Sequence, residues 1–308
     1  MSDRHVIVGA GPVGTETAKV LSARGSEVVL VSRSGRGADL KGVSRVAVDA
    51  SDAAALTEVT TGATSLYNCA NPGDYTQWDR VWPPMSAALM VAAERTGATL
   101  VTAGSLYPYG PVDVPMTEDL PAAATDHKGR LRAGMTAAAF ELHRAGRIHA
   151  VEVRGSDYVG VGVGKNGHLT RLLPRAAAGK GVWVMGSPDL PHSWTDVQDM
   201  GRTLVAAADR PESWGRVWHA PTNAPRTQRQ GLTEVLGAIG KPAVTVRPMP
   251  LRALALVAKV HPLTRELLEM SYQFTRPYVL DSTAAQREFG LAPTPWDEVC
   301  ARTATAAA

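Results

Sequence analysis

Two hydrophobic periods alternate along the first half of the chain. Short, nearly continuous apolar runs at about 5–9, 27–32, 44–48, 64–69, 98–103 and 148–154 predict buried strands. Stretches with a helical repeat at 12–24, 52–60, 84–96 and 128–146 predict the helices between them. This alternation predicts an α/β protein built on a doubly wound parallel Rossmann sheet with helices on both faces. Right-handed crossovers would bring every strand's carboxyl end to one edge. The loops 69–77, 104–127 and 155–168 leave from that edge and are rich in Gly, Pro, Tyr and Asp, so function is expected there.

After about residue 160 the rhythm changes. The pattern predicts a short basic helix at 168–179, a strand over Gly181–Met185 and a helix over Asp196–Asp209 with Thr195 as its cap. Helices follow near 227–239, 250–259, 262–273, 282–289 and 296–306, with a short strand around Val244–Val246. The expected organisation is a nucleotide-binding domain of residues 1–160 plus about 192–222. A smaller, mostly helical substrate lobe takes about 161–191 and 223–308.

Composition narrows the class. A chain of 308 residues can bury a large core, and a net charge of +3 makes no electrostatic case for nucleic acid or a membrane surface. Cys69 and Cys300 are too few for a disulfide framework or a thiolate metal site, so no metal is expected. The polar start fits no signal peptide and no apolar run reaches membrane-spanning length, which predicts a cytoplasmic protein, monomeric or homodimeric.

The chemistry begins at the first predicted strand. Val6, Ile7 and Val8 run into Gly9, and Gly11 and Gly14 complete G-x-G-x-x-G around Pro12 and Val13. In a strand–turn–helix context Gly9 makes the turn, Gly11 lets backbone approach a pyrophosphate, and Gly14 lets helix pack on strand. The helix start then offers free N–H groups to phosphate. An NAD site expects a carboxylate about 20 residues further on, to accept from the ribose 2′-OH. The second strand here ends in Ser32-Arg33-Ser34-Gly35-Arg36, which favours a 2′-phosphate and hence NADP(H), unless the arginines only solvate a loop. Asp49 and Ala50, after the third strand, either touch the adenine or lead into the next helix, which Asp49 would cap.

Further along, the chain carries Tyr67-Asn68-Cys69-Ala70-Asn71, then Ser105-Leu106-Tyr107-Pro108-Tyr109-Gly110, then Thr117-Glu118-Asp119. Later come Arg154-Gly155-Ser156-Asp157-Tyr158-Val159-Gly160, His192-Ser193-Trp194-Thr195-Asp196-Val197-Gln198-Asp199, and Tyr278-Val279-Leu280-Asp281-Ser282 with Phe289-Gly290-Leu291-Ala292-Pro293. In this order the set resembles the extended short-chain dehydrogenases/reductases of the NAD-dependent epimerase/dehydratase type, over essentially the whole chain. The resemblance implies that Ser105 is the catalytic hydroxyl and that Cys69, Ala70, Asn71, Gly155, Ser156 and Asp157 border the dinucleotide, the last three by backbone. It breaks at the family's Tyr-x-x-x-Lys, where this chain reads Lys128-Gly129-Arg130-Leu131-Arg132. That points to the atypical branch, which includes proteins that bind the dinucleotide without turning it over.

With the phenol missing, Tyr107 tuned by Lys128, or Lys128 itself, is the candidate proton donor, and Lys128 is also a candidate for holding ribose hydroxyls. Trp78, Trp82, Tyr107 and Tyr158 are the candidate walls of a substrate pocket. The favoured activity is an NADPH-dependent reduction of a carbonyl or activated double bond in a small, aromatic or polyketide-like metabolite of secondary metabolism. The alternatives are a non-catalytic NADP sensor and a nucleotide-sugar epimerase or dehydratase.

Overall fold

A computed structural model describes residues 3–305. Eleven strands form: β1 (Arg4–Val8), β2 (Glu27–Ser32), β3 (Val43–Ala47), β4 (Ser65–Asn68), β5 (Thr99–Ser105), β6 (Ala150–Gly155), β7 (Asp157–Val159), β8 (Val182–Val184), β9 (Trp194–Asp196), β10 (Val217–His219) and β11 (Val246–Pro248). Seven of them make one all-parallel sheet in the order β10-β6-β5-β4-β1-β2-β3. β4 and β6 are buried at every position, as a sheet covered on both faces requires, whereas the edge strand β3 stays half-exposed.

The first helices are α1 (Pro12–Ala23), α2 (Ala53–Thr60), α3 (Trp78–Thr96) and α4 (His127–Arg144). There follow α5 (Leu173–Ala177), α6 (Val197–Ala208), α7 (Gln228–Gly237), α8 (Leu251–Ala258), α9 (Pro262–Glu269), α10 (Tyr272–Thr275), α11 (Thr283–Phe289) and α12 (Trp296–Thr305). On one sheet face Val13, Ala18 and Leu21 of α1 pack with Met200, Leu204 and Val205 of α6. On the other, Leu56 of α2 packs with Trp78, Trp82, Met85 and Leu89 of α3. A separate core of Leu169, Leu173, Leu232, Leu236 and Val299 holds α5, α7 and α12 together around β8 and β9. Among the described residues no helix is long and apolar enough to cross a membrane.

Five departures from the sequence pattern stand out. α3 starts at Trp78, one turn and a half before the predicted 84, and carries Pro83 and Pro84 inside it. Burial of Trp78 and Trp82, which share a face at i and i+4, offsets the hydrogen bonds the prolines cannot make. Asp196, not Thr195, caps α6 by accepting from the Gln198 N–H (3.1 Å), while Thr195 Oγ1 accepts from the Ser156 N–H (2.9 Å). The predicted helix 262–273 breaks into α9 and α10, and 168–179 resolves into a 3-10 turn at Thr170–Leu172 and the short α5. β10 is too short to show a period of its own, yet it adds the seventh strand beside β6.

Candidate active site

The strand order reverses between β1 and β4, and the crevice at their carboxyl ends is where a doubly wound sheet takes its ligand. Gly9 leaves β1 at φ +109°, and a Cβ there would lie 2.5 Å from the Ala70 nitrogen and 2.6 Å from the Cys69 carbonyl. A Cβ on Gly14 would lie 1.9 Å from the Gly9 oxygen. The turn and the Cys69–Asn71 segment are therefore packed to the limit. Gly11 is different: its φ is −79°, and a Cβ would meet nothing within 4 Å. No side chain caps α1, and Pro12 has no N–H, so the N–H groups of Val13 and Gly14 are left for a ligand. These residues fit a dinucleotide pyrophosphate, with open space where it would lie.

At the end of β2, Ser32 Oγ donates to the Arg36 carbonyl (2.7 Å), folding the loop back with Arg33 and Arg36 exposed. No carboxylate follows β2 directly. Asp49 accepts from the Ser51 N–H (2.9 Å) and hydroxyl (2.7 Å), bonds that hold its carboxyl below the usual value, and Arg33 adds to this. The cap of α2 is Asp52, which accepts from Ala54 and Ala55 N–H groups, so Asp49 is not the cap. Ala50 packs half-buried on the α2–α3 core.

Across the crevice, Ser105 ends β5 directly opposite Gly155 of β6. Its Oγ is buried and has no hydrogen-bond partner, an orphan hydroxyl at the place expected for the catalytic one. Tyr107 lies two residues on. Its hydroxyl bonds that of Tyr75 (3.0 Å), its ring stacks on Trp78 (6.1 Å), and burial pushes the phenol well above its ordinary value.

The structure corrects the expected role of Lys128. The side chain is fully buried, and its ammonium pairs with Glu266 and with Glu269 (2.5 Å), both on α9. Burial opposes its charge, but the two carboxylates prevail and raise the ammonium above its usual value. Glu269 also accepts from the N–H groups of His127 (2.5 Å) and Lys128 (3.2 Å) at the start of α4. An ammonium so engaged does not give up a proton near neutral pH, and it lies 5.7 Å over the ring of Tyr75, the phenol bonded to Tyr107. Sequence reasoning missed the two glutamates because 138 and 141 residues separate them from Lys128. Arg132, in the lysine's place, donates to the Ala103 carbonyl (3.1 Å) and lies 4.2 Å over the Trp82 ring.

Two candidate substrate walls also move. Trp82 is 1% and Trp78 4% exposed, both in the core beneath α3, with Trp78 Nε1 donating to the Pro72 carbonyl (3.1 Å). Tyr158 is half-buried, with its ring so close to Gly155 that a Cβ there would lie 2.9 Å from it. Ser156 keeps a buried, unpartnered Oγ.

Asp157 does more than pass its backbone along the crevice. His192 Nε2 donates to its carboxylate (2.7 Å), and His168 Nε2 lies 3.9 Å from the other oxygen. Burial pushes the carboxyl up, but His168, His192 and Arg171 together hold it below its usual value. His168 accepts at Nδ1 from Arg171 (3.0 Å), and burial lowers it to about 4, so it is neutral at pH 7. His168 carried no sequence signal, since no motif surrounds it.

An all-parallel sheet with a glycine cradle at its switch point defines a dinucleotide-binding α/β protein. The chain belongs to the NAD dependent epimerase/dehydratase family, whose model matches residues 5–219. Among solved structures it is similar to the UDP-glucose 4-epimerase of Thermus thermophilus in complex with NAD (19% identity, 99% of this chain and 98% of that one, TM-score 0.78). It is similar also to the UDP-glucose 4-epimerase of Thermotoga maritima with UDP-glucose (16%, 98% of each chain, TM-score 0.78). A third likeness is to the dTDP-glucose 4,6-dehydratase of Bacillus anthracis in complex with NAD (13%, 99% and 96%, TM-score 0.80). At these identities the likeness is one of fold. A search of curated proteins finds no match.

Proposed function

We propose that the chain is an epimerase or dehydratase of the nucleotide-sugar type that works through a nicotinamide dinucleotide, with NADP(H) preferred. The match over residues 5–219 carries this reading. The rival reading, a reductase of aromatic or polyketide-like metabolites, leans on Trp78, Trp82, Tyr107 and Tyr158, and the two tryptophans are core residues. The bound dinucleotide would accept and return a hydride. Gly9, Gly11 and Gly14 with the Val13 and Gly14 N–H groups would hold its pyrophosphate, and the orphan Ser105 hydroxyl would bond the reacting substrate oxygen. Tyr107, protonated and already bonded to Tyr75, is the neighbouring proton donor.

The test is incubation of the protein with NAD+ or NADP+ and a panel of UDP- and dTDP-hexoses, with products separated by chromatography. An isomerised or dehydrated sugar supports the reading. NADPH oxidation by aromatic ketones with every nucleotide sugar inert would replace it with the reductase. Tyr107→Phe is expected to lower kcat on the order of 10²-fold with cofactor affinity unchanged. A second reading, a dinucleotide-binding protein without turnover, is favoured by one observation: the place of the family phenol is filled by a lysine locked to two carboxylates. It predicts tight dinucleotide binding and no product with either class of substrate.

The NADP(H) preference rests on Arg33 and Arg36. Arg33→Ala is expected to weaken NADPH roughly tenfold to a hundredfold, the loss of one charge-assisted phosphate contact, and to leave NADH unchanged. Calorimetric titration of both cofactors measures it, and equal NADPH affinity in variant and parent would remove Arg33 from the site.

A further inference from the structure

We propose that Tyr278 and Tyr272, delivered by the C-terminal segment, form with Asp157 a subsite for a polyhydroxylated ring; this rests on the nucleotide-sugar reading and names the part of the substrate that these residues hold. Tyr278 is 3% exposed, and its hydroxyl has no hydrogen-bond partner; the buried Tyr272 hydroxyl has none either. Their rings meet edge-on at 6.3 Å, and the Tyr278 ring stacks on His192 at 5.3 Å. The backbone fixes Tyr278 from both sides, since its N–H donates to Pro191 (2.9 Å) and its carbonyl accepts from Ser193 (2.9 Å). The phenol is thus held rigidly with nothing to bond, a condition that costs stability unless a ligand meets it.

The chemistry of the surroundings selects the ligand. Burial, with the charges of Asp126 and Asp157 in support, raises both phenols far above their usual range, so each is a donor and not a phenolate. Asp126 Oδ2 is a buried, unpartnered acceptor. Tyr107 and Tyr75 add two more hydroxyls, bonded to each other at 3.0 Å. The nearby ammonium, Lys128, is bound to two carboxylates, and Arg171 donates to His168. Neutral donors interleaved with carboxylate acceptors match hydroxyl groups, which both donate and accept. They do not match a phosphate, which accepts only, or an aromatic surface, which does neither.

The experiment is calorimetric titration of UDP-glucose and dTDP-glucose into the NADP+-saturated protein, with Tyr278→Phe, Tyr272→Phe and UDP alone as comparisons. The expected result is a loss of about tenfold in nucleotide-sugar affinity for each Phe variant, with UDP and NADP+ affinities unchanged. Circular dichroism confirms that the variants fold. Parent-like sugar affinity in both variants overturns the subsite and leaves the nucleotide-sugar reading standing. Equal losses for UDP and for the sugars also overturn it, because the phenols would then serve the nucleotide or the fold. A parent protein that binds neither sugar overturns the nucleotide-sugar reading and the subsite with it.

Discussion

Gly11→Val is expected to abolish binding of either dinucleotide while the protein stays folded. The two requirements that usually conspire against such a substitution are absent here. The backbone at Gly11 has φ −79°, which valine adopts freely, and the added Cβ meets no atom of the chain within 4 Å. The space it enters is the space over the uncapped N-terminus of α1, where a pyrophosphate must approach backbone N–H groups closely. Gly14→Ala is the contrasting control. Its Cβ would lie 1.9 Å from the Gly9 oxygen, so that variant should lose stability before its cofactor affinity can be read. Fluorescence titration with NADPH, beside a thermal melt of each variant, separates the outcomes. Tight binding by a folded Gly11→Val protein would mean that the cradle holds something else.

The glycine cradle was legible in the sequence because its signal is local: strand, turn and helix lie within twenty consecutive residues, and each glycine answers a short-range demand. The parallel sheet was legible for a related reason. Strands buried on both faces read as apolar runs, as the Val6–Val8 part of β1 and the Val28–Val31 part of β2 do, whereas β6 hides a buried Glu152–Arg154 pair. What the sequence hides is set by distant partners. The place of Lys128 could be read from the helix start, but its two carboxylates lie beyond two strands of the sheet, β6 and β10, and more than a hundred residues of chain. Trp78 and Trp82 stand next to a loop and two prolines, a context that looks like a pocket wall. Only the packing of α3 on the sheet shows that they are core. Tyr272, Tyr278, His168 and His192 meet near Asp157 because the segment from α10 to Tyr278 packs its rings on His168 and His192, and no periodicity announces that.

Lys128→Met should cost on the order of 3–5 kcal/mol of stability, the usual penalty for removing one partner of a buried ion pair. The ammonium is 1% exposed, and Glu266 and Glu269 keep about a quarter of their side-chain surface, so the abandoned carboxylates face each other with little water. The loss has a defined pH window. Burial opposes the charge on Glu269, yet Lys128 holds that carboxyl below its ordinary value of 4.5. Its contribution is therefore present above 4.5 and fades as the pH falls through the lowered value. Lys128 is raised above 10.5, so its contribution is full below 10.5 and is lost as the pH climbs past the raised value. Parent and variant should differ most across the plateau between those limits and converge in acid, where Glu269 is protonated. Urea unfolding of both proteins at pH 7 and through a series of lower pH values measures the difference. Adding Glu266→Gln and Glu269→Gln to Lys128→Met should recover much of the loss, because neutral amides no longer repel. If Lys128→Met proved as stable as the parent at pH 7, the clamp between α4 and α9 would not be closed in solution. Lys128 would then be free to serve as the proton donor that its place in the catalytic helix suggests.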